Sequence, residues 1–329
     1  MTELITHART AEEILAWGKE TTEPELRAAV ERLPSSMRPI AQHHFGWADG
    51  AGSGKLLRPT LVLLGAKATG APLESALPAA VAVELVHNFS LVHDDVMDGD
   101  STRRHRATVW REFGSSAAIL AGDALLSLAA KLLSGQPETT HVLMAAVLEL
   151  IEGQSADLAF ERRAEVSVDE CRAMAAGKTG ALLGAACALG VVAGGGSGNQ
   201  QRQLRRFGQE VGLAFQLVDD LLGIWGESAV TGKPVFSDLR NRKKSLPVVA
   251  ALASGTEAGR ELAARFGAEP ANVAREAELV ELAGGRAWAR DQAGRHLEQA
   301  RSHLEAARVE PRAQAELETL ARFIVGRDR

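Results

Sequence analysis

Apolar positions recur every three to four residues along nearly the whole chain, and alternating strand-like patterns are scarce, so the sequence predicts an all-α protein. "TAEEILAWGKETTEPELRAAVERL" predicts two helices broken near Pro24, and "RPTLVLLGAKATG" a buried helix started by Pro59 and stopped by Gly70. "LESALPAAVAVELVHNFSLVHDDVMD" predicts a long helix in which Pro78 marks a boundary or a kink. "SSAAILAGDALLSLAAKLLSG" closes at Gly135 and Pro137, and "HVLMAAVLELIEGQSADLAFERR" follows it. "SVDECRAMAAGKTGALLGAACALGVVAG" opens on Ser167 with Glu170 three residues on, the pattern of a capping box. After the flexible "GGGSGNQ", the helical pattern resumes in "RQLRRFGQEVGLAFQLVDDLLGIWG". "ESAVTGKPVFSDLRNRKKSLP" is polar, turn-rich and basic, and reads as an ordered functional loop; the last third is Ala/Glu/Arg-rich helix. No short repeat or linker interrupts this pattern. The expectation is one domain over residues 1–329, a large helical bundle with its most apolar helices at the centre.

Composition narrows the function classes. Hydrophobic residues are 46% and charged residues 24% of the 329, a globular balance, and the net charge of −5 gives no basic field for nucleic acid. The two cysteines, Cys171 and Cys187, lie in apolar or alanine-rich context and read as reduced core thiols. The opening residues are mixed and amphipathic, unlike a secretion or transit signal, and no apolar run reaches the roughly 18–20 residues of a membrane span. A cytoplasmic location is expected.

The informative chemistry begins at "LVHDDVMDGDSTRRHR". Asp94 and Asp98 are four apart and share one helix face, with Asp95 beside them. Carboxylates gathered at the end of an apolar helix repel and resist desolvation unless a cation joins them. Mg²⁺ takes carboxylate oxygens, keeps waters and bridges to phosphates, so the run suggests a metal–diphosphate site; a solvated helix end is the alternative if it stood alone. A second pair, Asp219 and Asp220, follows another apolar helical run in "FQLVDDLLG". Cations accompany both: Lys55 and Arg58 in "GKLLRP", His87 two turns before Asp94, Arg103 and Arg104, Lys178 and Thr179 in "GKTG", Lys233 in "TGKP", and Lys243 in "RNRKK". Singly each is an ordinary surface cation. Together with two acidic motifs they suggest two polyphosphates, one held through metal and one directly.

In these motifs the chain resembles the trans-isoprenyl diphosphate synthases, the farnesyl and geranylgeranyl diphosphate synthase group. The resemblance runs from "GKLLRP" to "KKSLP", about residues 54–247: "DDVMD" followed by four residues and "RR", then "GKTG", "FQLVDD" and "TGKP…SDL…KKSLP", in the family's order. It implies a single all-α bundle around a central substrate cavity, usually a homodimer, that condenses isopentenyl diphosphate with an allylic diphosphate. It further implies that Asp94, Asp98 and Asp219 bind about three Mg²⁺, supported by Asp95 and Asp220. Arg103, Lys178, Lys233 and Lys243 are expected on the allylic diphosphate. Lys55, Arg58, His87 and Arg104 are expected on isopentenyl diphosphate. The Lys178 carbonyl, the Thr179 hydroxyl and the Gln216 amide would face the allylic cation, and the released diphosphate would take the final proton.

Two positions depart from the family pattern. The second motif usually reads DDxxD but ends here in Gly223, and Asn241 stands where glutamate is frequent. The missing carboxylate leaves open a weakly active accessory subunit. A class I terpene cyclase is a further alternative, disfavoured by the retained Lys55, Arg58, His87 and Arg104. Product length in the family follows the floor of an apolar tunnel below the first motif. Phe89 and Ser90, five and four residues before Asp94, resemble the geranylgeranyl type, and the first motif lacks the two-residue insertion of many bacterial farnesyl enzymes. The expectation is geranylgeranyl diphosphate, then farnesyl diphosphate; simple core packing is the other reading of Phe89.

Overall fold

The computed structural model describes residues 9–47, 52, 54–227, 235–266 and 272–326. These are all-α, as expected, apart from one two-stranded hairpin. They form two compact units, Met1–Val147 with Ala185–Arg205 and Leu304–Leu320, and Leu148–Gly184 with Arg206–His303 and Ala321–Arg329.

The first unit opens with α1 (Ala11–Val30), capped by a box in which the Thr10 hydroxyl accepts from Glu13 N (3.2 Å) and Glu13 Oε2 from Thr10 N (2.8 Å). The expected break at Pro24 does not occur: α1 is one helix with Pro24 inside it. Proline removes one backbone bond. Against that loss stands a continuous stripe of Ile14, Leu15, Gly18, Thr22, Leu26, Ala29 and Val30, all buried. Gly18 admits the Thr60 side chain of α3 (Leu57–Lys67), where any Cβ would overlap it. α2 (Arg38–Phe45) lies between them in the chain, and α4 (Leu77–Asp98) starts at Pro78, which marks a boundary rather than a kink. α4 is buried on nearly all sides from Ala79 to Ser90, then turns polar.

Gly99 (φ 69°) ends α4, and β1 (Thr102–Arg103) pairs with β2 (Arg106–Ala107). The turn between them holds Arg104 and His105, both at positive φ (50° and 63°), where hairpins usually place Asn-Gly. Two side-chain-bearing residues in this region carry strain, which clusters at functional sites. α5 (Val109–Phe113) and α6 (Ser115–Leu132) follow. α3 packs backbone to backbone on α9 (Ala181–Ala193): a Cβ at Gly65 would meet the Cys187 carbonyl, and one at Gly190 the Val62 carbonyl. Burial pushes the Cys187 thiol up to about 12, which leaves it a core group as expected.

The second unit takes most of α7 (Pro137–Arg162), α8 (Val168–Ala175) and most of α10 (Gly198–Trp225). α11 (Ser237–Arg240), α12 (Leu246–Leu252), α13 (Glu257–Arg265) and α14 (Val273–Leu282) follow, then α15 (Gly285–Ala307) and α16 (Pro311–Val325), each with its larger or smaller share in this unit. Phe160, Cys171, Met174, Leu213, Leu217, Leu221, Leu246 and Val249 form its core. Ser167 and Glu170 make the predicted capping box. The single helix expected beyond it is interrupted by one π turn, Ala176–Gly180, which is the "GKTG" segment. π turns of this kind concentrate at functional sites.

Two helical stretches, Ser115–Leu132 and Val168–Ala193, are long and apolar enough to cross a membrane by length and composition, against the expectation from unbroken apolar runs. The second is a core helix, 78% of its window being buried.

Candidate active site

The helical phase of α4 separates its aspartates. Asp94 and Asp98 share the outward face, Asp94 partly buried and Asp98 exposed, while Asp95 is turned inward at 1% exposure. Arg103 clamps Asp95, its Nε and Nη2 donating to Oδ1 at 2.8 and 2.7 Å. The hairpin therefore supplies the counter-charge that permits a buried carboxylate at this helix end. The same hairpin aims Arg104 at the loop before α3, within reach of Gly54. Arg106 donates to the carbonyls of His43 (2.9 Å) and His44 (3.4 Å), fixing the end of α2.

Beneath Arg104 lies a buried polar network that the sequence did not reveal. Asn88 Nδ2 donates to the Glu84 carbonyl (2.7 Å) and to Glu84 Oε1 (2.9 Å), and Asn88 Oδ1 accepts from His44 Nε2 (3.0 Å). Burial raises the Glu84 carboxyl, against the pull of Arg58 and Arg104. Burial likewise holds His87 well below the usual imidazole range, helped by Arg58, Arg104 and Arg103, and lowers His44 to about 3. Arg58 is lowered to about 10 by burial and stays a cation. The first unit thus gathers Arg58, Arg103 and Arg104 around neutral imidazoles, an arrangement suited to an anion. Lys55, expected with them, is exposed.

The second unit repeats the division between paired aspartates. Asp219 is exposed; Asp220 is 3% exposed and fully engaged. Its Oδ1 accepts from Gln216 Nε2 (2.8 Å) and lies 3.7 Å from Lys243 Nζ, while Oδ2 accepts from Leu246 N (3.0 Å) at the start of α12. Burial raises the Asp220 carboxyl to about 6, against the pull of Lys243. Burial alone would lower Lys243, but Asp220, Asp238, Asp219 and Asp157 outweigh it and hold the amine charged.

Glycines position the π turn. A Cβ at Gly153 on α7 would strike Lys178 N, and one at Gly212 on α10 would strike Gly180. This close approach sets the Thr179 hydroxyl to donate to Gln216 Oε1 at 2.7 Å, so Thr179, Gln216 and Asp220 form one hydrogen-bonded chain. Lys178 Nζ lies 2.5 Å from Asp157 Oδ2, a partner that sequence spacing did not suggest. Gln154, one turn earlier on α7, is buried and makes no hydrogen bond to protein through either amide atom. Lys233 falls outside the described residues.

Among the described residues, no three carboxylate, imidazole or thiol side chains converge to hold a metal by themselves. Asp94, Asp98 and Asp219 are instead accessible hard-oxygen donors. In the first unit Asp94 and Asp98, and in the second Asp219, are each of the donor type that suits Mg²⁺, which binds through one or two carboxylates and fills its shell with water and phosphate oxygens.

Around the first motif, Phe89 is buried edge-on to His93 (centroids 4.9 Å apart), and His93 packs where a Cβ at Gly122 of α6 would sit. Ser90 is buried with its hydroxyl donating to the His87 carbonyl at 2.8 Å.

The polyprenyl synthetase family model matches residues 49–283. A (2E,6E)-farnesyl diphosphate synthase of Mycobacterium bovis is 48% identical over 95% of this chain and 92% of its own length. A geranylgeranyl diphosphate synthase of Mycobacterium tuberculosis is 47% identical over 80% of this chain and 79% of its own. The crystal structure of a polyprenyl synthetase from Streptomyces coelicolor A3(2) superposes with a TM-score of 0.91 at 46% identity, covering 95% of this chain and 98% of that one. With two aspartate pairs, the lysine-bearing π turn and the arginine hairpin already in place, this extent of likeness means that the chain belongs to the polyprenyl synthetase family.

Proposed function

We propose that the protein is a Mg²⁺-dependent short-chain trans-prenyltransferase that joins isopentenyl diphosphate to an allylic diphosphate, with geranylgeranyl diphosphate as product and farnesyl diphosphate next in order. One observation carries the reading: in each aspartate pair one carboxylate is presented outward and its neighbour is anchored inward beside a cation, Arg103 or Lys243. Asp94, Asp98 and Asp219 hold the metal in this reading. Bound Mg²⁺ would neutralise charge on the leaving diphosphate.

Lys178, Lys243 and Arg103 orient the allylic diphosphate and take up charge as its carbon–oxygen bond breaks, with Lys233 assigned to the same group from its motif. The Thr179–Gln216 pair and the Lys178 carbonyl offer oriented dipoles to the allylic cation without a free nucleophile. Arg58, Arg104, Lys55 and His87 bind isopentenyl diphosphate, whose double bond forms the new carbon–carbon bond. The released diphosphate accepts the proton lost in restoring the alkene. The relatives named above are a farnesyl and a geranylgeranyl diphosphate synthase, which favours this reading over a terpene cyclase.

Phe89 over His93 supports a floor one turn below Asp94. Incubation with isopentenyl diphosphate and dimethylallyl, geranyl or farnesyl diphosphate, with and without Mg²⁺, should give a linear product ending at geranylgeranyl length. Phe89→Ala should move the product to longer chains, read by chromatography of the dephosphorylated alcohols. Absence of elongation with every primer at high Mg²⁺ would overturn the reading.

Because His87 is neutral before an anion arrives, diphosphate binding should raise its affinity for a proton. Calorimetry at pH 7 in two buffers of different ionisation enthalpy should register uptake of up to about one proton per inorganic diphosphate bound, lost in His87→Gln. An uptake unchanged by that substitution would remove His87 from the anion site.

The cytoplasm is the proposed location and a homodimer the proposed assembly. Phe113, Ile119 and Leu120 on α5 and α6 expose 41–57% of their surface and suit burial against a second copy. Sedimentation showing only a 34.9 kDa species at micromolar concentration would exclude that assembly.

A further inference from the structure

Three glycines shortly before Lys55 hold positive φ, Gly46 (72°), Gly52 (79°) and Gly54 (80°), and each faces a cation. A Cβ at Gly46 would overlap the Arg106 guanidinium, and one at Gly54 would lie 3.1–3.3 Å from that of Arg104. A Cβ at Gly52 would lie 3.2 Å from Lys19 Nζ. Arg106 is held by the carbonyls of His43 and His44, and Arg104 is assigned to isopentenyl diphosphate. Lys19 comes from α1 and belongs to none of the motifs. Packing fixes where it stands. Gly18, the residue before it, lies so close to α3 that any Cβ would overlap the Thr60 side chain, two residues beyond Arg58. Two turns further along α1, Arg27 lies over the Trp47 ring at 4.4 Å, and that ring stacks on Phe45 at 4.5 Å. Gly52 N donates to the Gly46 carbonyl at 3.1 Å. Lys19 Nζ lies 3.8 Å from Glu23 Oε2, while Arg27 Nη2 donates to Glu23 Oε1 at 3.0 Å. A long, partly exposed ion pair holds a lysine only weakly, so a more highly charged anion competes well for it.

We infer that Lys19 is a further cation of the isopentenyl diphosphate site, placed over Gly52 as Arg104 is placed over Gly54. This rests on the prenyltransferase reading above. Glycine at both positions leaves the two cations uncovered by side chains and accepts a backbone conformation that other residues resist. The lysine ammonium, a compact charge with three donors on a flexible stem, suits the terminal phosphate, whose oxygens offer no fixed fork to match. The first helix of the chain is thereby part of the binding site as well as of the core.

The test is calorimetric titration of isopentenyl diphosphate into the full-length protein without an allylic primer, so that no reaction starts. Lys19→Met should weaken binding about tenfold, and Lys19→Arg, which keeps the charge, should recover most of the loss. In steady-state assays Lys19→Met should raise KM for isopentenyl diphosphate by the same factor, with kcat and KM for the allylic primer unchanged and the unfolding midpoint in place. Glu23→Gln, which removes the lysine's partner on α1, should bind isopentenyl diphosphate at least as tightly as the parent. Parent-like affinity in Lys19→Met, in a protein that elongates normally before substitution, overturns this inference and leaves the prenyltransferase reading intact. Equal losses in Lys19→Met and Glu23→Gln would place the effect in the charged face of α1 and overturn it as well. A parent protein that neither binds isopentenyl diphosphate nor elongates overturns both readings.

Discussion

Asp219→Ala should lower kcat/KM about a thousandfold while leaving the unfolding midpoint where it is. The Asp219 side chain is exposed, and within the fold it adds to the field that keeps Lys243 charged. Surface truncations of this kind usually change stability by no more than about 0.5 kcal/mol. The expected loss of turnover comes instead from removing a hard-oxygen donor where charge develops on the leaving diphosphate. Asp94→Ala should behave alike at the first motif. Steady-state kinetics over a Mg²⁺ series, paired with chemical denaturation, would check this. A variant retaining more than a tenth of the activity at saturating Mg²⁺ would exclude the residue as a metal anchor.

One residue further along, the balance reverses. Asp220→Ala should cost about 3 kcal/mol of stability, because three donors lose their buried acceptor together: Gln216 Nε2, Leu246 N and Lys243 Nζ. Asp220→Asn should cost less, and its cost should depend on pH. The folded carboxyl is raised to about 6 from an ordinary value near 4. Its contribution is full below the unfolded value and is lost as pH rises through about 6. The asparagine side chain does not titrate, so the gap between the parent protein and Asp220→Asn should be widest near pH 4 and narrow by pH 7. Urea melts at pH 4, 6 and 7 would test both statements; equal midpoints for Asp219→Ala and Asp220→Ala would contradict them. Asp95, with Arg103 as its clamp, belongs with Asp220.

The division of labour within each pair was half legible in the sequence. Spacing alone put Asp94 and Asp98 on one face, because a helix repeats every 3.6 residues, while Asp95 was read only as standing beside them. What holds Asp95 and Asp220 inward could not be read, since Leu246 N is 26 residues from Asp220 and belongs to another helix. The Ser167 capping box was legible because both partners lie within four residues. Pro24 misled because the packing that keeps α1 intact comes from α3, a contact no local pattern encodes. Asp157 and the His44–Asn88 contact were missed for the same reason: the partners meet across 21 and 44 residues of chain. Gly223 was noticed as a departure from a motif, while the close approach of Asp238 to it could not be read from spacing.

The π turn at Ala176–Gly180 has a mechanical meaning for the helical rod from Val168 to Ala193. One residue more than an α turn needs advances the rotational phase of everything beyond it by about 100°. Cys171 and Met174 on the near side are buried on one face, whereas beyond the turn the helix is buried all round from Ala181 to Gly190, so the shift decides which of its side chains meets which neighbour. The quantity under constraint in "AGKTG" is therefore its length as much as its lysine. Deleting one residue there would leave the helix content nearly unchanged and rotate the far half of the rod by about 100° against its packing neighbours.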